Sequence, residues 1–258
     1  MFSFLIFAAF IILVCMIILW SISVIIKNVS IVDVFWGLGF VIVNGIYFYL
    51  SENFQLRSII VLLLVSIWGL RLSIYLGLRN IGKSEDFRYQ EFRRKYGAHR
   101  YWWFSFFQVF LLQGALIMII SLPLLGIHYF SENKDLSILD YMGITLWLIG
   151  FIFESLGDYQ LAKFKKDPRN NNKVLNTGLW KYTRHPNYFG DTVVWWAYAI
   201  FCISAGAYWP ILGSVIMTFL IIKVSGVALL EEDISDRRPE YKMYIDKTSS
   251  FFPWFPKK

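Results

Sequence analysis

Apolar residues in this chain run in long unbroken blocks instead of recurring on one face of each element. A helix needs about 20 apolar residues to cross a bilayer. Seven blocks approach or meet that length: residues 2–26, 31–50, 57–77, 104–128, 137–158, 190–205 and 207–228. Only Ala205-Gly206-Ala207 separates the last two, which predicts a tight helical hairpin. No alternating, strand-like pattern and no internal repeat interrupts the series. The predicted fold is therefore an all-α integral membrane bundle of seven transmembrane helices, forming a single transmembrane domain over residues 1–258.

The polar connections orient the bundle. Basic residues crowd the connection after the third block (Arg79, Lys83, Arg88, Arg93, Arg94, Lys95, Arg100) and the one after the fifth (Lys163, Lys165, Lys166, Arg169, Lys173, Lys181, Arg184). The tail adds Arg237, Arg238, Lys242, Lys247, Lys257 and Lys258, and Lys27 follows the first block. The intervening connections hold only Arg57 and Lys134. Rich and poor connections alternate, as seven spans require. The positive-inside rule places the N-terminus outside, and loops 78–103 and 159–189 and tail 229–258 in the cytoplasm. The first block has no preceding Lys or Arg and is long for a signal peptide, so it reads as a retained span. Within the first loop, Phe87, Tyr89, Phe92 and Tyr96 alternate with charges and Gly97 follows, predicting a surface helix over 85–96. The aromatic end of the tail, Phe251 to Pro256, is too short to span and reads as a surface anchor.

Composition supports the same class. The chain is 57% hydrophobic and 17% charged, against about 25% charged in soluble domains. The net charge of +7 sits in the connections, a mark of topology and not of a nucleic-acid groove. Cys15 and Cys202 lie within apolar blocks and read as small hydrophobes. Three histidines without a Cys/His cluster predict no metal site.

Ionisable groups inside spans are costly, which makes them functional candidates. Asp33 lies in "VDVFWGLGF" and Arg71 in "WGLRLSIY"; the simplest structural role for Arg71 is a salt bridge to Asp33. Glu154 and Asp158, in "FESLGDYQ", are four residues apart and so share one helix face. Asn44, Gln108 and Gln113 read as interhelical hydrogen-bond partners, and Gly37 and Gly39 as close-packing positions. The segment "WKYTRHPNYFGD" joins Tyr182, Arg184, His185, Asn187 and Asp191 at the start of the sixth span. Pro186 suits a first helical turn, where free N–H groups and the positive dipole end favour an anion. The tail adds Glu231-Glu232, Arg237-Arg238 and the pair Tyr241 and Tyr244. Three cytoplasmic polar clusters suggest a large polar cofactor, with a hydrophobic substrate entering from the bilayer.

"VDVFWGLGF", "WGLRLSIYLGLRNIGKSEDFRYQEFRRKYG", "GLWKYTRHPNYFGDTVVWW" and "VSGVALLEEDISDRRPEYKMYIDKTSSFFPW" together resemble the bacterial steroid 5α-reductase-like membrane proteins. That group is related to steroid 5α-reductases, sterol reductases and isoprenylcysteine methyltransferases. The resemblance covers most of the chain from the second span onward. It implies a seven-helix protein of the bacterial inner membrane, with NADPH at the cytosolic side, reducing an activated C=C bond of a steroid-like or isoprenoid enone. On this resemblance the cofactor residues are Asn187 and Asp191, Glu154 and Asp158, Lys165 and Arg169, with Arg238, Tyr241 and Tyr244 from the tail; Tyr182, Arg184 and His185 join them. Arg71 matches an arginine of the third helix. The chain departs from the steroid enzymes where these place a Glu on the second helix and a Tyr on the third. Here the counterparts are Asp33 and Trp68, so Asp33, Arg71 and Tyr75 are the candidate catalytic donors. An S-adenosylmethionine-dependent membrane methyltransferase is the alternative, since "RHPNY" followed by Glu231-Glu232 is a pattern those relatives share. A non-enzymatic lipid-binding protein is the third possibility.

Overall fold

The computed structural model describes residues 1–131, 135–171, 173–224, 226, 227, 231 and 240–257. These residues are helical or irregular, with no strand among them. The chain divides into two compact units, Met1–Asp135 with Ala205–Pro210, and Leu136–Ser204 with Ile211–Lys258.

The first unit contains α1 (Phe2–Ile26), α2 (Ile31–Ser51), α3 (Leu56–Asn80), α4 (Phe87–Tyr96), α5 (Ala98–Ser105), α6 (Leu112–Ile120) and α7 (Leu122–Phe130). Lys27 ends α1 in a left-handed conformation, φ 54°. Much of α1 is exposed and apolar, including Phe10, Ile18 and Ile25, as a lipid-facing helix requires. α2 and α3 meet backbone to backbone. A Cβ on Gly37 would fall on the Gly69 carbonyl oxygen, and one on Gly69 would lie 2.6 Å from the Gly37 oxygen. Small residues permit this approach where lipid gives helices no hydrophobic drive to associate.

α4 matches the expected surface helix: the Asp86 side chain caps it by accepting the Arg88 N–H at 3.1 Å, and Gly97 (φ 82°) ends it. The fourth apolar block differs from the single helix expected over 104–128. It begins at Ala98, passes through a π-helical turn at Phe106–Leu111, and breaks at Ser121 between α6 and α7. Pro123 accounts for the break, since it has no N–H for the helical ladder, and the Ser121 hydroxyl donates to the Met118 carbonyl at 3.0 Å.

The second unit contains α8 (Ile138–Lys166), α9 (Pro186–Ser204), α10 (Leu212–Phe219) and α11 (Glu240–Lys247). Ser137 and Asp140 form a capping box at the start of α8. That helix runs two turns past the expected end at 158, so Lys163, Lys165 and Lys166 lie on its last turn and not in a loop. Cations there are favoured by the helix dipole. α8 carries glycine at every seventh position, Gly143, Gly150 and Gly157, and this stripe receives α9. A Cβ on Gly150 would stand 2.7 Å from both the Gly190 oxygen and the Val194 nitrogen; one on Gly157 would stand 3.0 Å from the Asn187 nitrogen.

Five helical segments are long and apolar enough to cross a membrane: Phe2–Ile26, Ile31–Ser51, Leu56–Asn80, His99–Phe130 and Ile138–Lys166. The chain is thus a multi-pass membrane protein. α9 has 19 residues but begins with Asn187, Asp191 and Thr192, which dilute its apolar character. Trp209–Val224 is apolar but shorter.

Candidate functional site

The close approach of α8 and α9 lets short polar side chains meet. Glu154 and Asp158 are buried, 3% and 5% exposed, one turn apart on α8. Because glycines 150, 157 and 190 keep the backbones close, Asn187 on the first turn of α9 reaches Asp158 directly: its Nδ2 donates to Oδ1 at 3.0 Å. Asp191 follows one turn later. Deeper in the pair, Trp147 Nε1 donates to the Tyr198 hydroxyl at 3.0 Å. The arrangement is a row of acceptors along one helix seam, suited to the hydroxyls and amides of a polar ligand.

The chain just before α9 is pinned to the same seam. Trp180 Nε1 donates to the Gly157 carbonyl at 3.1 Å, and Gln160 Oε1 accepts the Leu179 N–H at 3.0 Å. Gly178 has φ 61°, and the Gln160 amide lies against it, so both conformation and space favour glycine. Beyond this turn, Glu231 Oε1 stands 2.8 Å from His185 Nε2 and 3.1 Å from Arg184 Nε. The arginine contact is an ion pair without hydrogen-bond alignment, since Arg184 Nε and Nη1 are both buried without a hydrogen-bond partner among the described residues. Asn187 Oδ1 is a further buried acceptor with no donor among the described residues. Orphaned buried polar atoms are expensive and call for a partner. The His185 and Tyr188 rings stack with centroids 5.7 Å apart.

The tail clasps this loop. Arg184 N–H donates to the Ser249 carbonyl at 2.9 Å, Thr183 Oγ1 to the Phe251 carbonyl at 2.8 Å, and Trp254 N–H to the Tyr182 carbonyl at 2.9 Å. The Tyr244 hydroxyl donates to the Trp180 carbonyl, and its ring packs edge-on against Tyr241 at 5.4 Å. Burial pushes the Tyr241 phenol from its ordinary 10.0 up to about 12, with the Glu231 charge adding and Arg184 offsetting. Burial raises Tyr244 as well. A raised phenol favours the folded state while protonated and loses that contribution as it ionises. Stability should therefore be flat below pH 10.0 and fall as pH approaches about 12. Circular dichroism through an alkaline titration checks this, and Tyr241→Phe should soften the fall.

The expected residues are distributed unevenly over these features. Glu154, Asp158, Asn187 and Asp191 come together, and Arg184, His185, Tyr241 and Tyr244 form the adjoining cluster. Tyr182 contributes its backbone to the clasp while its side chain is 37% exposed. Lys165 is exposed on the last turn of α8. Arg169 is also exposed and tied locally to Asp167 at 2.8 Å. Arg238 lies outside the described residues.

In the first unit, Asp33 does not present an open carboxyl group. Its Oδ2 accepts from Arg88 Nη2 at 2.9 Å and its Oδ1 from the Tyr89 hydroxyl at 2.7 Å. The partner is thus the surface helix α4 and not Arg71, and the aspartate ties α2 to α4. Arg71 instead lies over the Tyr75 ring at 5.3 Å, with Arg79 on the same ring at 5.9 Å.

Sequence reasoning does not reach Gln160 and Trp180 at the turn, Thr183 in the clasp, or the Trp147–Tyr198 pair in the seam. From the sequence Glu231 reads only as half of an acidic pair with Glu232. The seven-residue glycine spacing on α8 was the available signal for the seam.

The model of a family described as a protein of unknown function (DUF1295) matches residues 19–248. An uncharacterised protein of Schizosaccharomyces pombe is 26% identical over 264 residues, covering 92% of this chain and 76% of that protein. The 3-oxo-5-alpha-steroid 4-dehydrogenase 1 of Mus musculus is 30% identical over 109 residues, 42% of this chain and 37% of the mouse protein. The Delta(14)-sterol reductase of Ascobolus immersus is 29% identical over 89 residues, 33% of this chain and 19% of the fungal protein. The chain thus spans well under half of either enzyme. No solved structure matches. With the family model extending over most of its length, the chain belongs to the DUF1295 family and is a distant relative of the steroid 5-alpha-reductases and of a sterol reductase.

Proposed function

We propose that this protein is an NADPH-dependent membrane reductase acting on an activated C=C bond of a lipid enone that enters from the bilayer. We further propose seven spans, α9 and the helix from Trp209 being the sixth and seventh, with the N-terminus outside and the tail in the cytoplasm. The observation that carries the reading is the α8–α9 seam, with Asn187 on Asp158 and orphaned polar atoms on Asn187 and Arg184 beside it. The donor set fits the cofactor. Glu154, Asp158 and Asp191 would accept from ribose hydroxyls or the carboxamide, Asn187 Oδ1 would accept one more donor, and Arg184 Nη1 would meet a phosphate oxygen. Lys165 and Arg169 are the candidates for the 2′-phosphate, and Arg169 would have to share its guanidinium with Asp167. NADPH supplies a hydride to such an enone. The chain must then provide a hydrogen-bond donor at the carbonyl oxygen, where charge builds. A pre-aimed donor in a dry site is worth about 2.7–4 kcal/mol. With both Asp33 oxygens occupied as acceptors, Asp33 is not that donor in this reading.

A second reading, S-adenosylmethionine-dependent methyl transfer, draws on the meeting of Arg184 and His185 with Glu231. Thermal shift of the purified protein separates the two. Stabilisation by NADPH and not by S-adenosylmethionine is the expected result. The reverse would establish the methyltransferase, and a flat response to both would point to a non-enzymatic lipid-binding role.

A further inference from the structure

The first unit holds a cleft of about 520 Å³ lined by Ser23, Lys27, Arg93, Tyr101, Trp102 and Ser105, among others. Tyr101 is fully buried, yet its hydroxyl has no hydrogen-bond partner among the described residues. Its ring lies under the Arg93 guanidinium at 4.9 Å. Arg93 is fixed by Glu85, which takes its Nη2 at 2.8 Å and its Nε at 3.0 Å and also accepts the Val29 N–H at 2.9 Å. Lys27 is exposed at the end of α1, and its ammonium has no ion pair among the described residues. With Arg93 offset by Glu85, the cleft keeps one positive charge and one buried unmatched donor.

The neighbouring groups complete the chemistry. The Ser23 hydroxyl donates to the Trp20 carbonyl at 2.7 Å and the Ser105 hydroxyl to the Trp102 carbonyl at 3.0 Å, so both oxygens are left as acceptors. The Trp20 and Trp102 rings stack at 6.2 Å, and Trp20 Nε1 donates to the Trp102 carbonyl at 2.7 Å, giving the rigid aromatic pair favoured at a membrane boundary. The last turns of α1 present exposed Ile22, Ile25 and Ile26, a surface for acyl chains.

We propose that this cleft binds the headgroup of an anionic phospholipid. One phosphodiester charge matches the one uncompensated cation, Tyr101 donates to a phosphate oxygen, and Ser23 and Ser105 accept from headgroup hydroxyls such as those of a glycerol. A basic residue with buried hydroxyls beside an apolar helix end suits such a lipid better than a soluble anion.

Native mass spectrometry of the full chain, delipidated in detergent and titrated with phosphatidylglycerol or phosphatidylcholine, tests the proposal. One phosphatidylglycerol should bind in preference to phosphatidylcholine. Tyr101→Phe, which keeps the ring, and the surface variant Lys27→Gln should each weaken it about tenfold, the loss of one charge-assisted hydrogen bond. Equal retention of the two lipids, or unchanged affinity in Lys27→Gln, would overturn it. A parallel melt with inorganic phosphate separates the sources. Stabilisation by phosphate that both variants abolish, without lipid preference, would make the occupant a soluble anion and overturn the lipid assignment.

Discussion

Asn187→Ala should lower NADPH affinity by about 10- to 100-fold, the loss of a hydrogen bond to a charged group, while leaving the helix bundle folded. The side chain has two jobs. Its Nδ2 fixes Asp158 at 3.0 Å, and its Oδ1 is a buried acceptor without a donor among the described residues. Alanine removes both and leaves the Asp158 carboxylate without that partner in a buried position. Asp158→Ala should give a loss of similar size. If the two residues act as one unit, the double variant should lose less than the sum of the single losses. Isothermal titration of the four proteins measures this directly, with far-UV circular dichroism confirming that each is folded. Wild-type affinity in both single variants would remove the seam from the cofactor site.

Gly190→Val should have the largest effect on stability. A Cβ at this position would fall on the Glu154 amide nitrogen and the Gly150 carbonyl oxygen, both backbone atoms that cannot turn aside. Overpacking of a close contact costs about 1–3 kcal/mol even where side chains can move. Here α9 must shift bodily, carrying Asn187 away from Asp158, so melting temperature and cofactor affinity should fall together. Gly45→Ala on α2 is the control. A Cβ there meets nothing within 4 Å, and exchange of a mid-helix glycine for alanine should stabilise by about 0.5–1 kcal/mol. If Gly190→Val melts like Gly45→Ala, the backbone contact between α8 and α9 is not what holds the second unit together.

These two variants also mark what could be read from the chain. Block length placed α1, α2 and α3 within a few residues of their ends, because a membrane span is set by apolar length alone. The four-residue spacing of Glu154 and Asp158 and the Pro start of α9 were legible because both are local rules of helix geometry. The break at Ser121 and the π turn at Phe106–Leu111 were not, since hydropathy averages over them. The long continuation of α8 to Lys166 was missed because charge was read as loop, whereas the last turn of a helix welcomes cations. Asp33 shows the limit most clearly. Its position inside a span marked it as a catalytic candidate, but its role depends on Arg88 and Tyr89, 55 and 56 residues away. Pairings at such separations leave no periodic trace. The clasp of Thr183 by Phe251 escaped for the same reason, because its hydrogen bond ends on a backbone carbonyl.

In the proposed function the polar seam and its adjoining cluster hold a nicotinamide cofactor. Mass spectrometry of small molecules released from the freshly purified protein tests it most directly. NADP(H) should be recovered from the wild type and depleted from Asn187→Ala. Recovery of S-adenosylmethionine or its demethylated product in its place would contradict it.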